Sequence, residues 1–335
     1  MHVRLTKAYG HYKMGISGEC QESILPNLFS NRSIMTKRTI KATTIEQQKN
    51  KLKGYGVVMN DDAFADYALQ FIGYYHLGFY LFPFEKTYPY VDGRRRHEVI
   101  DGTTIGDVVA LHDFDCDLRC ILMKYLTHIE LAFRNSVIYH LSQKYPNKPC
   151  WYLDKSIVDA DVVDSIIADY DTIKRNDAIK HHHKKHRKSK YAPAWKTLEF
   201  ETLGTIHKLY DGILRIDDKL PINRQFNVPN VDIISNYIDS LRHLRNACAH
   251  GNIVMEIKLT RAISKGPAGN FIGAKRHRLT GLLELMKFFL SHISPSLVDG
   301  MRRDLGECFM NFFISNPKAK NVVEDMTKVN VADFS

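Results

Sequence analysis

Residues 115–145, DCDLRCILMKYLTHIELAFRNSVIYHLSQKY, carry the longest regular pattern in the chain. Apolar side chains recur there at steps of three and four residues, which is the period of one helix face. The residues that carry this period are Leu118, Ile121, Leu122, Tyr125, Leu126, Ile129, Ala132 and Phe133. The stretch therefore predicts one long amphipathic helix over about residues 115–145, which Pro146 and Pro149 end.

The same period recurs through most of the chain and predicts an all-α fold with irregular insertions. Further helices are predicted near residues 45–53, 62–71, 161–180, 195–214, 231–250, 278–292 and 296–314. Residues 216–230 and 260–275 are predicted to be loops, and the turn-rich stretch 88–103 is predicted to be a surface hairpin.

Three segments differ in their patterning. Residues 1–40 are basic and lack a sustained apolar period, so we expect a loosely ordered arm. Residues 41–315 carry the helical patterns and are expected to form a single all-α domain. Residues 316–335 are expected to form a polar tail.

The charge balance favours a polyanionic partner. The 335 residues include 47 Lys and Arg against 37 Asp and Glu, which gives a formal net charge of +10. Nucleic acid or an anionic membrane surface would fit this excess.

The chain has no apolar run of about 18 residues and no apolar secretory segment. The six cysteines are scattered without a CxxC pair, so we expect a cytoplasmic protein with reduced thiols.

Several arginines are followed a short distance later by a histidine, and this pairing suits RNA cleavage without a metal. Such a site needs one group that deprotonates the ribose 2′-OH and one that holds the phosphate charge. Histidine exchanges a proton near neutral pH, and arginine presents a donor fork that matches phosphate oxygens. The pairs include Arg134 with His140 and Arg245 with His250. Spacing alone leaves a plainer alternative open, in which His250 caps a core helix with arginines at its surface.

The segment LRHLRNACAH, residues 241–250, resembles the terminal motif of the Abi-like family of bacterial abortive-infection proteins. Four further blocks resemble blocks of that family in the same order. They are residues 72–75 with 78–80, residues 114–119, residues 129–134, and residues 193–195 followed by Glu199 and Gly204. The resemblance covers about residues 44–252.

This resemblance implies a helical bundle of the HEPN superfamily with RNase activity in phage defence. It implies that Arg245 binds the scissile phosphate, that His250 transfers a proton, and that Asn246 is the polar residue after the arginine. The implied reaction is attack by the 2′-OH that leaves a 2′,3′-cyclic phosphate, with no cofactor and no metal. Family members often carry a second histidine directly after the first, where this chain has Gly251.

Arg134 and His140 have two interpretations. Glu130 and Arg134 lie one helical turn apart, so a helix-stabilising salt bridge is one of them. In the other, Arg134 and His140 form a second half-site that faces Arg245 and His250 within one chain. If that half-site is not formed, two chains could pair their Arg245/His250 helices across a twofold axis as a homodimer.

Two clusters of cations are candidates for contacts with an RNA backbone. They are Lys184, Lys185, Arg187, Lys188 and Lys190 within the His-rich tract 181–190, and the run Arg94, Arg95 and Arg96. A solvated loop is the plainer interpretation of the tract. A metal site is disfavoured there because the histidines lie among cations.

Taken with these features, the resemblance implies an endoribonuclease toxin of phage defence. Its partner would be RNA, either as substrate or as a small structured RNA that restrains the protein. Two alternatives remain: a non-catalytic RNA-binding module, and a protein–protein regulator that uses the aromatic segment 72–84 as its interface.

Overall fold

A computed structural model describes residues 41–89, 95–330 and 334 of the chain. In chain order, its α-helices are α1 (Ile45–Gly54), α2 (Asp62–Tyr67), α3 (Tyr74–Leu81), α4 (Ile105–Lys144), α5 (Ala160–Ile173), α6 (Asp177–Lys185), α7 (Ala194–Thr197), α8 (Leu203–Gly212), α9 (Ile216–Gln225), α10 (Val231–Ala249), α11 (Leu279–Ile293), α12 (Pro295–Ser315) and α13 (Lys320–Thr327). Within the described residues, β pairing is limited to isolated bridges such as Glu85 with Val99. The all-α prediction is confirmed.

The longest helix, α4, runs over 40 residues and starts earlier than the sequence predicted. Thr104 caps it: the Thr104 hydroxyl accepts a hydrogen bond from Asp107 N, and the Asp107 carboxylate accepts one from Thr104 N. This reciprocal capping box satisfies two backbone donors that the first helical turn would otherwise leave unpaired. The predicted start near residue 115 was therefore too late, and the predicted end near residue 145 is confirmed.

The core of the fold surrounds α4. This helix packs against α3 and against each helix from α7 to α12. The apolar residues that predicted it point into this core, since Leu118, Leu122 and Phe133 are fully buried. A helix contacted on most sides serves as the central support on which the other elements are positioned.

Two predicted helices are interrupted. The stretch 161–180 forms α5 and α6, because the Asn176 side chain accepts a hydrogen bond from Ala178 N and starts a new helix there. The stretch 195–214 forms α7 and α8, and Thr202 caps the second of these through Thr205 N. The helices predicted at 231–250, 278–292 and 296–314 correspond to α10, α11 and α12.

Two segments outside the predicted helices contain helices. The loop prediction for 216–230 was wrong over α9, where Pro221 lies inside the helix and Ile222 is fully buried. Residues 316–335, expected to form a polar tail, include α13, and Val323 and Met326 on one face of that helix are buried in the core. Apolar anchoring outweighs the polar composition in both cases.

The aromatic segment is partly core and partly surface. A π-helical turn over Ala68–Gly73 joins α2 to α3. Tyr80 is fully buried, whereas 87% of Tyr75 and 70% of Phe71 are exposed.

The predicted hairpin at 88–103 is reduced to the Glu85–Val99 bridge, and part of it, residues 90–94, lies outside the described residues. The predicted arm, residues 1–40, also lies outside them. No helix in the described ranges is long and apolar enough to cross a membrane.

Candidate active site

Helices α4 and α10 pack with opposite chain directions. Arg245 on α10 meets Glu130 on α4, and the carbonyl of Asn252, farther along the chain, meets the earlier residue Arg119. The C-terminal end of α10, with His250, therefore lies beside the first half of α4 and extends away from the end that carries His140.

The carboxylate of Glu130 joins two arginines from separate helices. Its Oε1 accepts a hydrogen bond from Arg134 Nη2 at 2.9 Å, and its Oε2 accepts one from Arg245 Nε at 3.2 Å. Arg134 and Glu130 side chains are each 12% exposed, and Arg245 is 29% exposed. The predicted Glu130–Arg134 salt bridge is present. The structure also brings Arg134 together with Arg245, and the three side chains keep a net positive charge at the surface between the helices.

Two contacts orient the Arg245 guanidinium and leave some of its N–H donors unbonded. Besides the bond to Glu130, its Nη1 lies 3.5 Å from the Oδ1 of Asn246. A guanidinium has five N–H donors in one plane, so its Nη2 edge remains available to an anion. Glu130 and Asn246 therefore hold the fork of Arg245 in place while leaving an edge for a phosphate.

His250 occupies the C-cap position of α10. Its backbone N–H donates to the Asn246 carbonyl at 3.0 Å, and the N–H of Asn252 donates to the Ala247 carbonyl at 3.0 Å. Between them, Gly251 has a φ of +70°. These features make a Schellman motif, which requires the left-handed backbone that glycine adopts most easily. The motif explains why glycine follows His250, and it leaves the His250 side chain exposed at the helix end.

A buried carboxylate anchors the chain that follows His250. Asp115 is fully buried, and its Oδ1 accepts hydrogen bonds from Val254 N at 3.1 Å and Met255 N at 3.0 Å. Its Oδ2 accepts from Tyr80 and from Arg119 Nη1, and Arg119 also donates to the Asn252 carbonyl. This network fixes the segment after the His250 turn against α4. In the sequence, Asp115 and Arg119 stood out only as members of the block 114–119 that resembles the family. Their anchoring role depends on contacts with distant segments of the chain, which the sequence does not reveal.

Glu201 lies behind Arg134. Its backbone carbonyl accepts a hydrogen bond from Arg134 Nη2 at 3.0 Å, and its buried side-chain Oε1 has no partner within the described residues. Burial raises the pKa of the Glu201 carboxyl, although the nearby Arg134 charge acts in the opposite direction. Sequence reasoning did not identify Glu201, because its neighbour on α4 is remote along the chain.

His140 does not join this site. Residues six apart on a helix are separated by roughly 120° around the axis and about 9 Å along it, so His140 and Arg134 point to different sides of α4. His140 Nε2 lies 3.3 Å from the Oε1 of Gln225 on α9. The half-site in which Arg134 and His140 face His250 is therefore not formed within one chain.

The His-rich tract has two faces. His182 is 6% exposed and stacks on the ring of His186, and His183 contacts the Tyr170 hydroxyl. The predicted RNA-contacting residues Lys184, Lys185, Arg187, Lys188 and Lys190 are all exposed, and none of them forms an ion pair within the described residues. In the part of the chain that the structure describes, no group of three or more His, Cys, Asp or Glu side chains could hold a metal ion.

The arginine run behaves differently from the tract. Arg95 donates to the buried carboxylate of Glu85 at 3.0 Å and lies 4.5 Å above the Phe82 ring. Its contact with RNA stays a prediction, although Glu85 offsets the charge of Arg95 internally. Arg96 is exposed, and Arg94 lies outside the described residues.

Cys248 lies on α10 near the candidate site, and its surroundings disfavour the reactive thiolate form. The side chain is buried, and burial raises the pKa of its thiol to about 12. The thiolate form, which is the reactive form, is therefore scarce near neutral pH.

One comparison with known proteins gives a match. A family model described as Abi-like protein matches residues 67–256. The matched region covers more than half of the chain and includes α4 and α10 in full. No curated protein and no solved structure matches the chain.

Proposed function

Because this chain belongs to the Abi-like protein family, we propose that it is a metal-independent endoribonuclease that acts in abortive infection. The observation that carries the proposal is that Glu130 of α4 binds both Arg134 of α4 and Arg245 of α10. Helix α10 is the helix whose C-cap is the exposed His250. We further propose that this pair of helices is a HEPN-type catalytic core.

In the proposed reaction, the open edge of the Arg245 fork binds the non-bridging oxygens of the scissile phosphate. Neutral His250 accepts the proton of the ribose 2′-OH. The bond from O2′ to phosphorus forms as the bond from phosphorus to O5′ breaks, and the leaving O5′ takes a proton from the imidazolium or from water. The products carry a 2′,3′-cyclic phosphate and a 5′-OH.

Arg245 and His250 can act on one phosphodiester. Residues five apart on a helix differ by about 7.5 Å along the axis, which a long arginine side chain can span. The Schellman turn and the Asp115 network limit where His250 can move. Glu130 limits the orientations of Arg245 in the same way. Pre-organised groups of this kind lower the entropic part of a barrier.

The second candidate is a non-catalytic RNA-binding module. The exposed, unpaired cations of the tract 181–190 favour it, because such cations release counterions when they neutralise phosphates. In this case the tract would hold a structured RNA, and the α4–α10 site would have no chemical role.

One experiment separates the two candidates. Wild-type protein with EDTA is incubated with a single-stranded RNA and with the same oligonucleotide carrying 2′-deoxyribose throughout. The nuclease proposal expects cleavage of the RNA alone, with 2′,3′-cyclic phosphate ends. Cleavage of both oligonucleotides would contradict the 2′-OH mechanism. RNA binding without cleavage would contradict the nuclease and support the module.

A further inference from the structure

An open groove lies between α4 and α9 on the side of α4 that carries His140. Its volume is about 750 Å³, which is in the range of sites for small molecules. It is lined by Asn135, Ser136, Tyr139, His140, Pro221, Arg224 and Gln225.

The groove contains an ordered set of polar atoms around Gln225. The Ser136 hydroxyl donates to the Gln225 Oε1 at 2.7 Å, and the His140 Nε2 lies 3.3 Å from the same oxygen. Because a carbonyl oxygen only accepts, the His140 Nε2 is the donor in this contact. The amide NH₂ of Gln225 supplies donors beside it. Donors and acceptors arranged along one edge are what the hydrogen-bonding edge of a nucleobase requires.

An aromatic face accompanies these polar atoms. Tyr139 is 60% exposed, and its ring meets His140 edge-on at 5.2 Å. Pro221 supplies an apolar surface on the α9 side. An exposed aromatic ring offers a nucleobase a stacking surface in single-stranded nucleic acid.

A cation completes the groove. Arg224 is exposed, and it forms no ion pair with another described residue. An unpaired guanidinium at the rim attracts a phosphate, and the net charge of +10 of the chain acts in the same direction.

We propose that this groove binds one nucleotide of single-stranded RNA. Its base stacks on Tyr139 and bonds to Gln225 and His140, and its phosphate contacts Arg224. His140 thus has a role in binding rather than in proton transfer. Tyr139 and Arg134 lie about 7.5 Å apart along α4 and on different sides of it. Binding in the groove therefore does not rest on the proposed nuclease function.

The test measures equilibrium binding of a fluorescent single-stranded RNA of about ten nucleotides. This is within the usual length of a single-strand binding site and includes the one nucleotide that the groove would hold. The His250→Ala protein is used as background so that cleavage cannot occur. Tyr139→Ala should weaken binding by roughly 5- to 150-fold, as expected for loss of one stacked base. Tyr139→Phe keeps the ring and should bind as the background protein does. Arg224→Ala should weaken binding and lower the salt dependence by about one phosphate contact.

The control is Tyr75→Ala, which removes an aromatic ring that is 87% exposed on α3. It should leave binding unchanged. Equal binding by the Tyr139→Ala and background proteins would overturn the proposal, and so would a lack of measurable RNA binding. Weaker binding of Tyr139→Ala together with no cleavage by wild-type protein would retain the groove and reject the nuclease.

Discussion

Glu130 of α4 accepts a hydrogen bond from Arg245 of α10 at 3.2 Å, although the two residues lie 115 positions apart in the chain. The second oxygen of the same carboxylate binds Arg134 at 2.9 Å. Two like charges can approach each other here because one carboxylate lies between them. Glu130 therefore links the packing of the two helices to the orientation of the arginine proposed to bind phosphate.

Glu130→Gln should destabilise the fold. The amide keeps one acceptor but cannot offset two guanidinium charges, so unfolding in urea should show a loss of roughly 1.5–3 kcal/mol. The matched control is Glu98→Gln. Glu98 is 63% exposed, and the change breaks its ion pair with Lys86. It should cost less than about 1 kcal/mol. Equal losses in the two variants would show that the Glu130 bridge has no special role.

Asp115→Asn should loosen the segment after His250. The asparagine NH₂ would face Arg119 in place of an accepting oxygen, which weakens the network that holds Val254 and Met255. Hydrogen exchange at those two amides should accelerate roughly tenfold or more, since charged hydrogen bonds contribute about 1.5–3 kcal/mol.

Glu85→Gln is the control for Asp115. It alters another fully buried carboxylate, which pairs with Arg95 and not with the chain after His250. Exchange at Val254 and Met255 should not respond to this change. A similar acceleration in both variants would indicate general destabilisation and would remove the anchoring role of Asp115.

Gly251→Ala should destabilise the protein by about 1–2 kcal/mol, because the left-handed backbone disfavours a β-carbon. Contacts with the rest of the protein do not contribute, since a β-carbon at Gly251 would meet no atom beyond its chain neighbours within 4 Å. Gly54→Ala is the matched control, because Gly54 also has open space and lacks a positive φ. Gly54→Ala should be neutral or stabilising. Urea unfolding compares the two, and equal effects would refute the Schellman turn.

The stability of the protein should fall in mild acid because of His207. Burial lowers the pKa of this histidine. The carboxylates of Asp211 and Asp239 act in the opposite direction, but the effect of burial is larger. The unfolded chain, with a histidine pKa of about 6.5, then binds the proton more readily than the folded protein does. The contribution of His207 to stability is therefore complete above pH about 6.5 and is lost as the pH falls below it.

His207→Gln should reduce this acid sensitivity. The difference in unfolding free energy between pH about 7.5 and about 5.5 should be smaller than in the wild type, since a neutral amide takes up no proton. An undiminished loss in His207→Gln would contradict the assignment.

The sequence predicted the helices whose apolar residues follow an uninterrupted period. It failed where capping or anchoring decides the outcome. The Thr104–Asp107 box starts α4 ahead of its clearest apolar period, and Pro221 obscured α9. For the candidate site, resemblance and spacing predicted Arg245 and His250, which the structure places on α10 and at its C-cap. The bond from Glu130 to Arg245 depends on how two helices pack, which no local pattern contains.

The pairing of Arg134 with His140 shows a second limit. A short spacing in the sequence was interpreted as proximity, but residues six apart on a helix point roughly 120° away from each other. Helix phase separates His140 from the arginines and directs it to Gln225. Once α4 was known to be helical, this outcome followed from geometry alone.

The rate of RNA cleavage by His250→Ala, compared with that of His243→Ala, tests the central claim most directly. His243 lies in the C-terminal half of α10 and His250 is its C-cap, so both changes remove an exposed histidine from the same part of the helix. Only His250 is proposed to transfer a proton. With EDTA present, His250→Ala should be slower than wild type by about 10²–10⁴-fold, and His243→Ala should match the wild type. Cleavage by His250→Ala at the wild-type rate would contradict the assignment of the active site.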